Sequence, residues 1–107
     1  MSEYIKHLDQ NSYDEYVSSD TLTVVDFWAN WCGPCRMLAP NFEEAAEELD
    51  GTVRFAKLDV DEAEDVAVGL NVMTIPTLLF YKSGKILKTH TGYLSKEALV
   101  DIIKSLM

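Results

Sequence analysis

Trp31-Cys32-Gly33-Pro34-Cys35 is the stretch that decides the fold, and it contains both cysteines of the chain, three positions apart. An apolar run at 23–29 precedes it and is typical of a strand that is covered on both faces. Apolar residues at helical spacing follow it up to Leu49, so the cysteines lie where a strand leads into a helix. Because a helix N-terminus favours negative charge, this position suits a thiolate. We interpret the pair as a redox-active dithiol.

Length and charge restrict the class of protein. The 107 residues are enough for one domain, which we expect to span 1–107. Nine Lys and Arg against eighteen Asp and Glu give a net charge of −9. This charge argues against a nucleic-acid partner, because phosphates need a basic surface. No segment approaches the roughly 18 apolar residues of a membrane-crossing helix, so we expect no membrane partner.

The N-terminal residues predict the cellular location of the protein. Residues 1–6 contain neither a basic region nor an apolar stretch, which disfavours a signal peptide and favours a cytoplasmic location. In a reducing compartment a cysteine pair is more often catalytic than structural. A static disulfide and half of a zinc site are the structural alternatives, but the chain has only two cysteines and no paired histidine motif.

The helix that follows the cysteines is predicted to extend to about residue 49. Pro34 falls in its first turn, where a missing N–H is harmless, whereas Pro40 falls inside it and predicts a kink. A turn signal at Ser83-Gly84 predicts an antiparallel hairpin. The other predicted elements are strands at 5–8, 53–60, 77–81 and 86–91, a helix through Val17 with a Ser12–Glu15 capping box, a helix capped by Asp61, and a final helix that follows Ser95.

This order of elements predicts the fold class. Strands and helices alternate three times, and two strands and a helix follow. Such an order is typical of an α/β fold with a central sheet, parallel at first and closed by a hairpin, against which the helices pack.

Residues along nearly the whole chain, from about Ile5 to the C-terminus, resemble the thioredoxin family. The residues that carry the resemblance are 25–29, 31–35, Pro40, Lys57, Asp61, Ile75-Pro76-Thr77, Gly84 and Gly92. The resemblance implies a thioredoxin-like fold, with a central mixed five-stranded sheet flanked by four helices. It also implies a protein-disulfide reductase with no bound cofactor, which thioredoxin reductase recharges and which acts on disulfide-containing client proteins. We expect a monomer, and the Gly33-Pro34 pair resembles the strongly reducing members of the family.

The spacing of the cysteines predicts their roles. Residues at i and i+3 of a helix differ by a rise of about 4.5 Å, so Cys32 and Cys35 can form a disulfide without large backbone movement. Cys32 precedes the helix and is predicted to be the exposed nucleophile. Cys35, one turn later, is predicted to be the shielded thiol that resolves the mixed disulfide.

Asp26 lies in the middle of an apolar strand, where a carboxylate is costly unless it is neutral, paired or functional. Our hypothesis is that Asp26 has a raised pKa and transfers a proton to and from Cys35, as the resemblance also implies. Lys57 on the adjacent predicted strand is its expected partner. A buried ion pair with a purely structural role is the alternative.

A substrate surface is expected around Cys32. The resemblance implies a cis peptide bond at Ile75-Pro76, facing the cysteines, where an extended substrate segment could pair with the backbone. Trp28 is expected to pack beneath the site, and His7 and His90 to lie on the surface. The predicted substrate-binding residues are Trp31, Gly33, Pro34, Ile75, Pro76 and Gly92.

Three positions differ from the commonest bacterial pattern of the family. Met73 and Thr74 replace a basic and a small residue, and Tyr93 stands where a small residue is usual. All three are expected to flank the substrate surface, where they bear on substrate preference.

Three functions fit the sequence. The first is a general protein-disulfide reductase, and the second is an oxidase or isomerase module for secreted proteins, which Gly33-Pro34 disfavours. The third is a redox-independent interaction or scaffold module. The reduction potential separates the first two, and replacement of both cysteines by serine separates the third.

Overall fold

The computed structural model describes residues 2–107, in which five strands and four helices form a mixed sheet with helices on both faces. This architecture confirms the predicted α/β fold. The elements are β1 (Ile5–Leu8), α1 (Tyr13–Val17), β2 (Thr23–Trp28), α2 (Gly33–Glu48), β3 (Arg54–Asp59), α3 (Glu64–Gly69), β4 (Thr77–Lys82), β5 (Lys85–Thr91) and α4 (Lys96–Leu106).

The sheet has the strand order β1-β3-β2-β4-β5. β3 pairs in parallel with both β1 and β2, whereas β4 is antiparallel to β2 and to β5. Ser83 and Gly84 connect β4 to β5 with positive φ angles of 54° and 79°. Two positive φ angles match the right-handed twist of a two-residue hairpin, so the predicted hairpin is confirmed.

Two apolar cores lie on opposite faces of the sheet. On one face α2 and α4 cover the sheet, and Phe42 of α2 packs edge-on against Phe55 of β3 with ring centroids 5.2 Å apart. On the other face α1 and α3 cover it, and the hydroxyls of Tyr13 and Tyr81 lie 2.6 Å apart as a hydrogen-bonded pair. Because α2 is fixed to the sheet by buried side chains, its first turn has a defined position.

Two predicted helix caps are wrong. Ser12 precedes α1, but its hydroxyl accepts a hydrogen bond from the Asp9 N–H instead of capping the helix. The Asp9 carboxylate accepts from the N–H of Ser12, so Asp9 orders this turn. Asp61 does not cap α3, which begins at Glu64 after an N-cap at Ala63.

Strand ends and one histidine also differ from the sequence predictions. Ala29 lies outside β2, and β3 is two residues shorter than predicted because Val53 and Val60 lie in turns. His90 is half-buried on β5, with an Nε2 atom that has no hydrogen-bond partner within residues 2–107, whereas His7 is exposed as expected. In the described part of the chain, no helix is long and apolar enough to span a bilayer.

The N-cap of α4 provides a test of local stability. The Ser95 hydroxyl accepts a hydrogen bond of 3.1 Å from the Ala98 N–H. We expect Ser95→Ala to lower the free energy of unfolding by about 1 kcal/mol, because an orphan N–H at the helix start loses its partner. Urea unfolding measures the change. Ser105→Ala is the matched control, since the exposed Ser105 hydroxyl only donates to the Ile102 carbonyl. An equal loss in both variants would contradict the assignment of the cap.

Candidate redox site

The two cysteines form a disulfide at the beginning of α2, with their Cα atoms 5.2 Å apart. Cys32 is the N-cap residue of the helix, and its Sγ accepts a hydrogen bond of 3.2 Å from the Cys35 N–H. The sulfur thus occupies the place that a serine or aspartate oxygen takes in an ordinary N-cap. An N–H donor and the positive end of a helix dipole both stabilise a thiolate at Cys32.

Both sulfurs are largely covered by protein. Cys32 is 5% exposed and Cys35 is 2% exposed, so the expectation of an exposed Cys32 is not met in this disulfide form. Cys32 is more exposed than Cys35, as predicted, but the difference between the two exposed fractions is small. Ala29 and the partly buried Trp28, Val60 and Ile75 surround the pair, and Trp28 packs there as expected.

The turn before β4 lies over the disulfide. The Ile75-Pro76 peptide bond is cis, as the resemblance implied, and the Ile75 carbonyl oxygen lies 3.8 Å from Cys32 Sγ. The Gly92 N–H donates a hydrogen bond of 2.8 Å to the Pro76 carbonyl. The loop after β5 is therefore tied to the same turn, and Gly92 suits this geometry because its φ angle is +106°.

Asp26 is fully buried in the centre of β2. It points to the same face of the sheet as Val24, which packs in the core covered by α2. Within residues 2–107, neither of its carboxylate oxygens has a hydrogen-bond partner. Burial raises the pKa of Asp26 to about 7, and the positive charge of Lys57 opposes this shift in part. Asp26 can therefore exchange a proton near neutral pH.

Lys57 stands beside Asp26 in the parallel register of β2 and β3. Its ammonium group lies over the Trp28 ring, 4.8 Å from the centroid, which is a cation–π geometry. In the described chain Asp26 takes part in no ion pair, so this geometry does not support the purely structural ion pair. Lys57 acts on the carboxyl through space.

The six predicted substrate-binding residues differ in exposure. Trp31 and Pro34 are exposed, Gly33, Ile75 and Gly92 are half-buried, and Pro76 is buried. The three chain segments that contain these residues lie close together. The Ile75-Pro76 turn contacts Cys32 and is hydrogen-bonded to Gly92.

The structure adds two residues that the sequence reasoning did not assign to the site. The Asp61 carboxylate accepts a hydrogen bond of 2.9 Å from the Trp31 indole N–H. The Asn41 amide donates one of 2.9 Å to the Tyr93 hydroxyl. Asp61 follows the end of β3 by two residues, and this position could have indicated that it lies near the site. Nothing in the sequence connects Asn41 with Tyr93, which is 52 positions away.

Metal-binding side chains do not cluster at this site. Across residues 2–107, no group of three or more His, Cys, Asp or Glu side chains has an arrangement that could hold a metal ion.

Comparison with known proteins gives one consistent result. The family model described as Thioredoxin matches residues 4–105. A thioredoxin of Bacillus subtilis (strain 168) is 41% identical over 99 residues, which cover 92% of this chain and 93% of the relative. A thioredoxin of Staphylococcus saprophyticus is 43% identical over 100 residues, 94% of each chain. The chloroplastic M-type thioredoxin of Spinacia oleracea is 39% identical, over 94% of this chain and 56% of the relative.

The raised pKa of Asp26 predicts how stability depends on pH. The folded protein keeps a proton on Asp26 up to a pKa of about 7, whereas the unfolded chain releases it near 4. Stability from this group is thus complete below pH 4 and decreases as the pH rises to 7, by at most about 1.4 kcal/mol per pH unit. We expect Asp26→Asn to become more stable relative to wild type over this interval. Urea unfolding of the disulfide forms from pH 4 to 8 measures the difference.

Asp101→Asn is the control for this measurement, because Asp101 is exposed on α4. It should leave the pH dependence unchanged. A constant difference between Asp26→Asn and wild type at every pH would refute the raised pKa.

A second prediction concerns Lys57. Its positive charge lowers the pKa of Asp26 against the larger effect of burial. We therefore expect Lys57→Met to raise the Asp26 pKa further, as followed by NMR titration of the carboxyl carbon. Lys85→Met, an exposed lysine at the start of β5, should leave the pKa unchanged. An unchanged Asp26 pKa in Lys57→Met would show that the two groups do not interact.

Proposed function

This chain belongs to the thioredoxin family and carries out dithiol–disulfide exchange, and we propose that Cys32 is the attacking thiol and Cys35 the resolving thiol of a protein-disulfide reductase. The observation that carries this proposal is the hydrogen bond from the Cys35 N–H to Cys32 Sγ at the N-terminus of α2. It distinguishes the two sulfurs, because the N–H group at the helix end donates to Cys32 Sγ, where it stabilises an anion.

In the first step, the Cys32 thiolate of the reduced protein attacks one sulfur of a substrate disulfide. A bond forms between Cys32 and that sulfur, the substrate S–S bond breaks, and the other substrate sulfur leaves as a thiolate that takes a proton from water. The product is a mixed disulfide.

In the second step, Cys35 attacks Cys32 Sγ of the mixed disulfide. The Cys35 thiol proton goes to the Asp26 carboxylate, directly or through water, and the second substrate sulfur leaves as a thiolate. Two electrons have then passed to the substrate, and the protein holds the Cys32–Cys35 disulfide. A pKa of about 7 supports this role for Asp26, because the carboxyl can accept and return a proton near neutral pH.

Intramolecular attack by Cys35 contributes more to the rate of disulfide exchange than stabilisation of the Cys32 thiolate does. A helix N-terminus stabilises an anion by up to about 2 kcal/mol, and a lower thiol pKa also reduces nucleophilicity. Intramolecular attack by a well-placed second thiol can reach an effective concentration of about 10⁵ M or more. The Cα separation of 5.2 Å places Cys35 within the range of such an attack.

Substrate binding is assigned to the surface around the Ile75-Pro76 turn. Trp31, Pro34 and Gly92 border it, and an extended substrate segment would lie along the backbone of Ile75. Such contacts are to backbone and shape, so proteins of varied sequence can bind.

The family implies disulfide-containing substrates and a thioredoxin reductase as the general kind of electron donor. We further propose that the chain works in the cytoplasm as a monomer with one domain, 1–107. The bacterial thioredoxins that it resembles over more than nine-tenths of their length support the one-domain organisation.

Single cysteine variants test the roles of the two thiols. We expect Cys35→Ser to accumulate a covalent mixed disulfide with insulin, because the attacking thiol remains and the resolving thiol is gone. Cys32→Ser should form no such adduct. Both variants should reduce insulin at least about a thousandfold more slowly than wild type. Mass spectrometry of the adduct and insulin turnover with a bacterial thioredoxin reductase and NADPH are the measurements.

The two serine variants are matched controls for each other, since each removes one sulfur from the same helix turn. An adduct formed by Cys32→Ser and not by Cys35→Ser would reverse the assignment. Turnover of insulin by the double serine variant would refute the redox mechanism.

A further inference from the structure

Exposed aromatic side chains occur at one place in the described chain. Of the large apolar residues that are exposed within residues 2–107, the two aromatic ones are Trp31, at 68%, and Tyr93, at 48%. Trp31 directly precedes Cys32, and Tyr93 directly follows Gly92. Both therefore border the redox site, although they come from loops about sixty residues apart in the sequence.

Both rings are fixed at their polar end. The Trp31 indole N–H donates to Asp61, and the Tyr93 hydroxyl accepts from the Asn41 side-chain amide, each at 2.9 Å. The same Asn41 nitrogen donates to the Leu94 carbonyl at 2.9 Å. A carboxamide NH₂ has two hydrogens, so it can make both bonds at once. Asn41 thus connects the tip of Tyr93 and the adjacent backbone to α2.

The position of Tyr93 relative to the sulfurs follows from a short series of contacts. The Ile75 carbonyl lies 3.8 Å from Cys32 Sγ, and Pro76 accepts the hydrogen bond from the Gly92 N–H at 2.8 Å. Tyr93 is the next residue. Its backbone consequently adjoins the turn along which a substrate segment would lie, and its side chain extends from there to Asn41 of α2.

We propose that Tyr93, held by Asn41, is a specificity-determining residue that binds an apolar side chain next to the disulfide of a substrate polypeptide. This inference rests on the proposed function, because it concerns the substrates of the same two cysteines. It adds that the chain selects among disulfides by the residues that flank them.

The apolar preference follows from the surroundings of the ring. Trp31, the other exposed aromatic residue that borders the site, also presents a largely apolar ring. A fixed aromatic ring loses little conformational entropy when a partner binds, so its apolar face is available at low cost. Rigid aromatic anchors of this type dominate the energetics of many interfaces.

Disulfide-closed peptides test the proposal. Three peptides are identical except that the residues flanking each cysteine are Leu, Ser or Lys. The second-order rate constant for their reduction by the reduced protein is measured by acid quenching and thiol labelling. We expect Tyr93→Ala to slow reduction of the Leu peptide about fivefold, the size of an aromatic contact, and to change the Ser peptide by less than about twofold.

Further variants separate the ring from its support. Tyr93→Phe keeps the ring and loses the hydroxyl, and Asn41→Ala removes the support, so each should give a smaller loss that is again confined to the Leu peptide. Ile86→Ala changes a comparably exposed apolar residue near the start of β5 and should change none of the rates. Thermal unfolding of each variant checks that the fold is intact.

Two results would overturn the proposal. One is an equal loss for the Leu and Ser peptides in Tyr93→Ala, and the other is a larger loss for the Lys peptide than for the Leu peptide, which would indicate a cation-binding ring. Reduction of insulin is measured in parallel. If wild type fails to reduce it, the proposed function itself is wrong, whereas normal reduction with no discrimination among peptides refutes only the role of Tyr93.

Discussion

The hydrogen bond from the Cys35 N–H to Cys32 Sγ is the constraint on which the site depends. It can form only if Cys32 occupies the N-cap of α2, and α2 keeps its position because Leu38 and Phe42 are buried against the sheet. The apolar core therefore fixes the place of one sulfur to within a hydrogen-bond length. A helix of 16 residues supplies the aligned dipoles at that end. The packing of α2 against the sheet thus determines both the N-cap at Cys32 and the redox chemistry of its sulfur.

A second constraint is the burial of Asp26, which opposes stability at neutral pH. A carboxyl with no hydrogen-bond partner in the described core remains protonated up to about pH 7, and its ionisation there costs free energy that a core residue such as leucine would not. A lysine in direct contact would remove that cost and would also lower the pKa. The Lys57 ammonium lies instead over Trp28, so its charge moderates the shift without cancelling it. The position of Lys57 thus leaves Asp26 able to titrate near neutrality.

Every strand and helix could be predicted from the sequence. The spacing of apolar residues such as Leu38 and Phe42 indicates the elements with a buried face, and the Ser83-Gly84 turn signal indicates the hairpin that contains the exposed β5. The redox role of Cys32 and Cys35 could also be predicted, since the strand and the helix that they connect are adjacent in the sequence. The predicted Ser12 cap is wrong because the Ser12 hydroxyl accepts from the Asp9 N–H that precedes the helix, while Asp9 accepts from the Ser12 N–H. Spacing alone cannot show which N–H group a hydroxyl binds. The contact of Tyr93 with Asn41 depends on how α2 and the loop after β5 meet in three dimensions, which no local pattern encodes.

The topology explains why the site can diversify without loss of its chemistry. β4 is antiparallel to β2, so the Ile75-Pro76 turn that precedes β4 lies at the sheet edge where β2 ends and the cysteines begin. β5 is antiparallel to β4, so its last residues return Gly92 to that same edge. The sulfurs belong to a helix fixed by the core, whereas Tyr93 is an exposed residue of the loop after β5. A substitution at Tyr93 can accordingly change which disulfides are favoured, while the hydrogen bond that defines Cys32 stays unchanged.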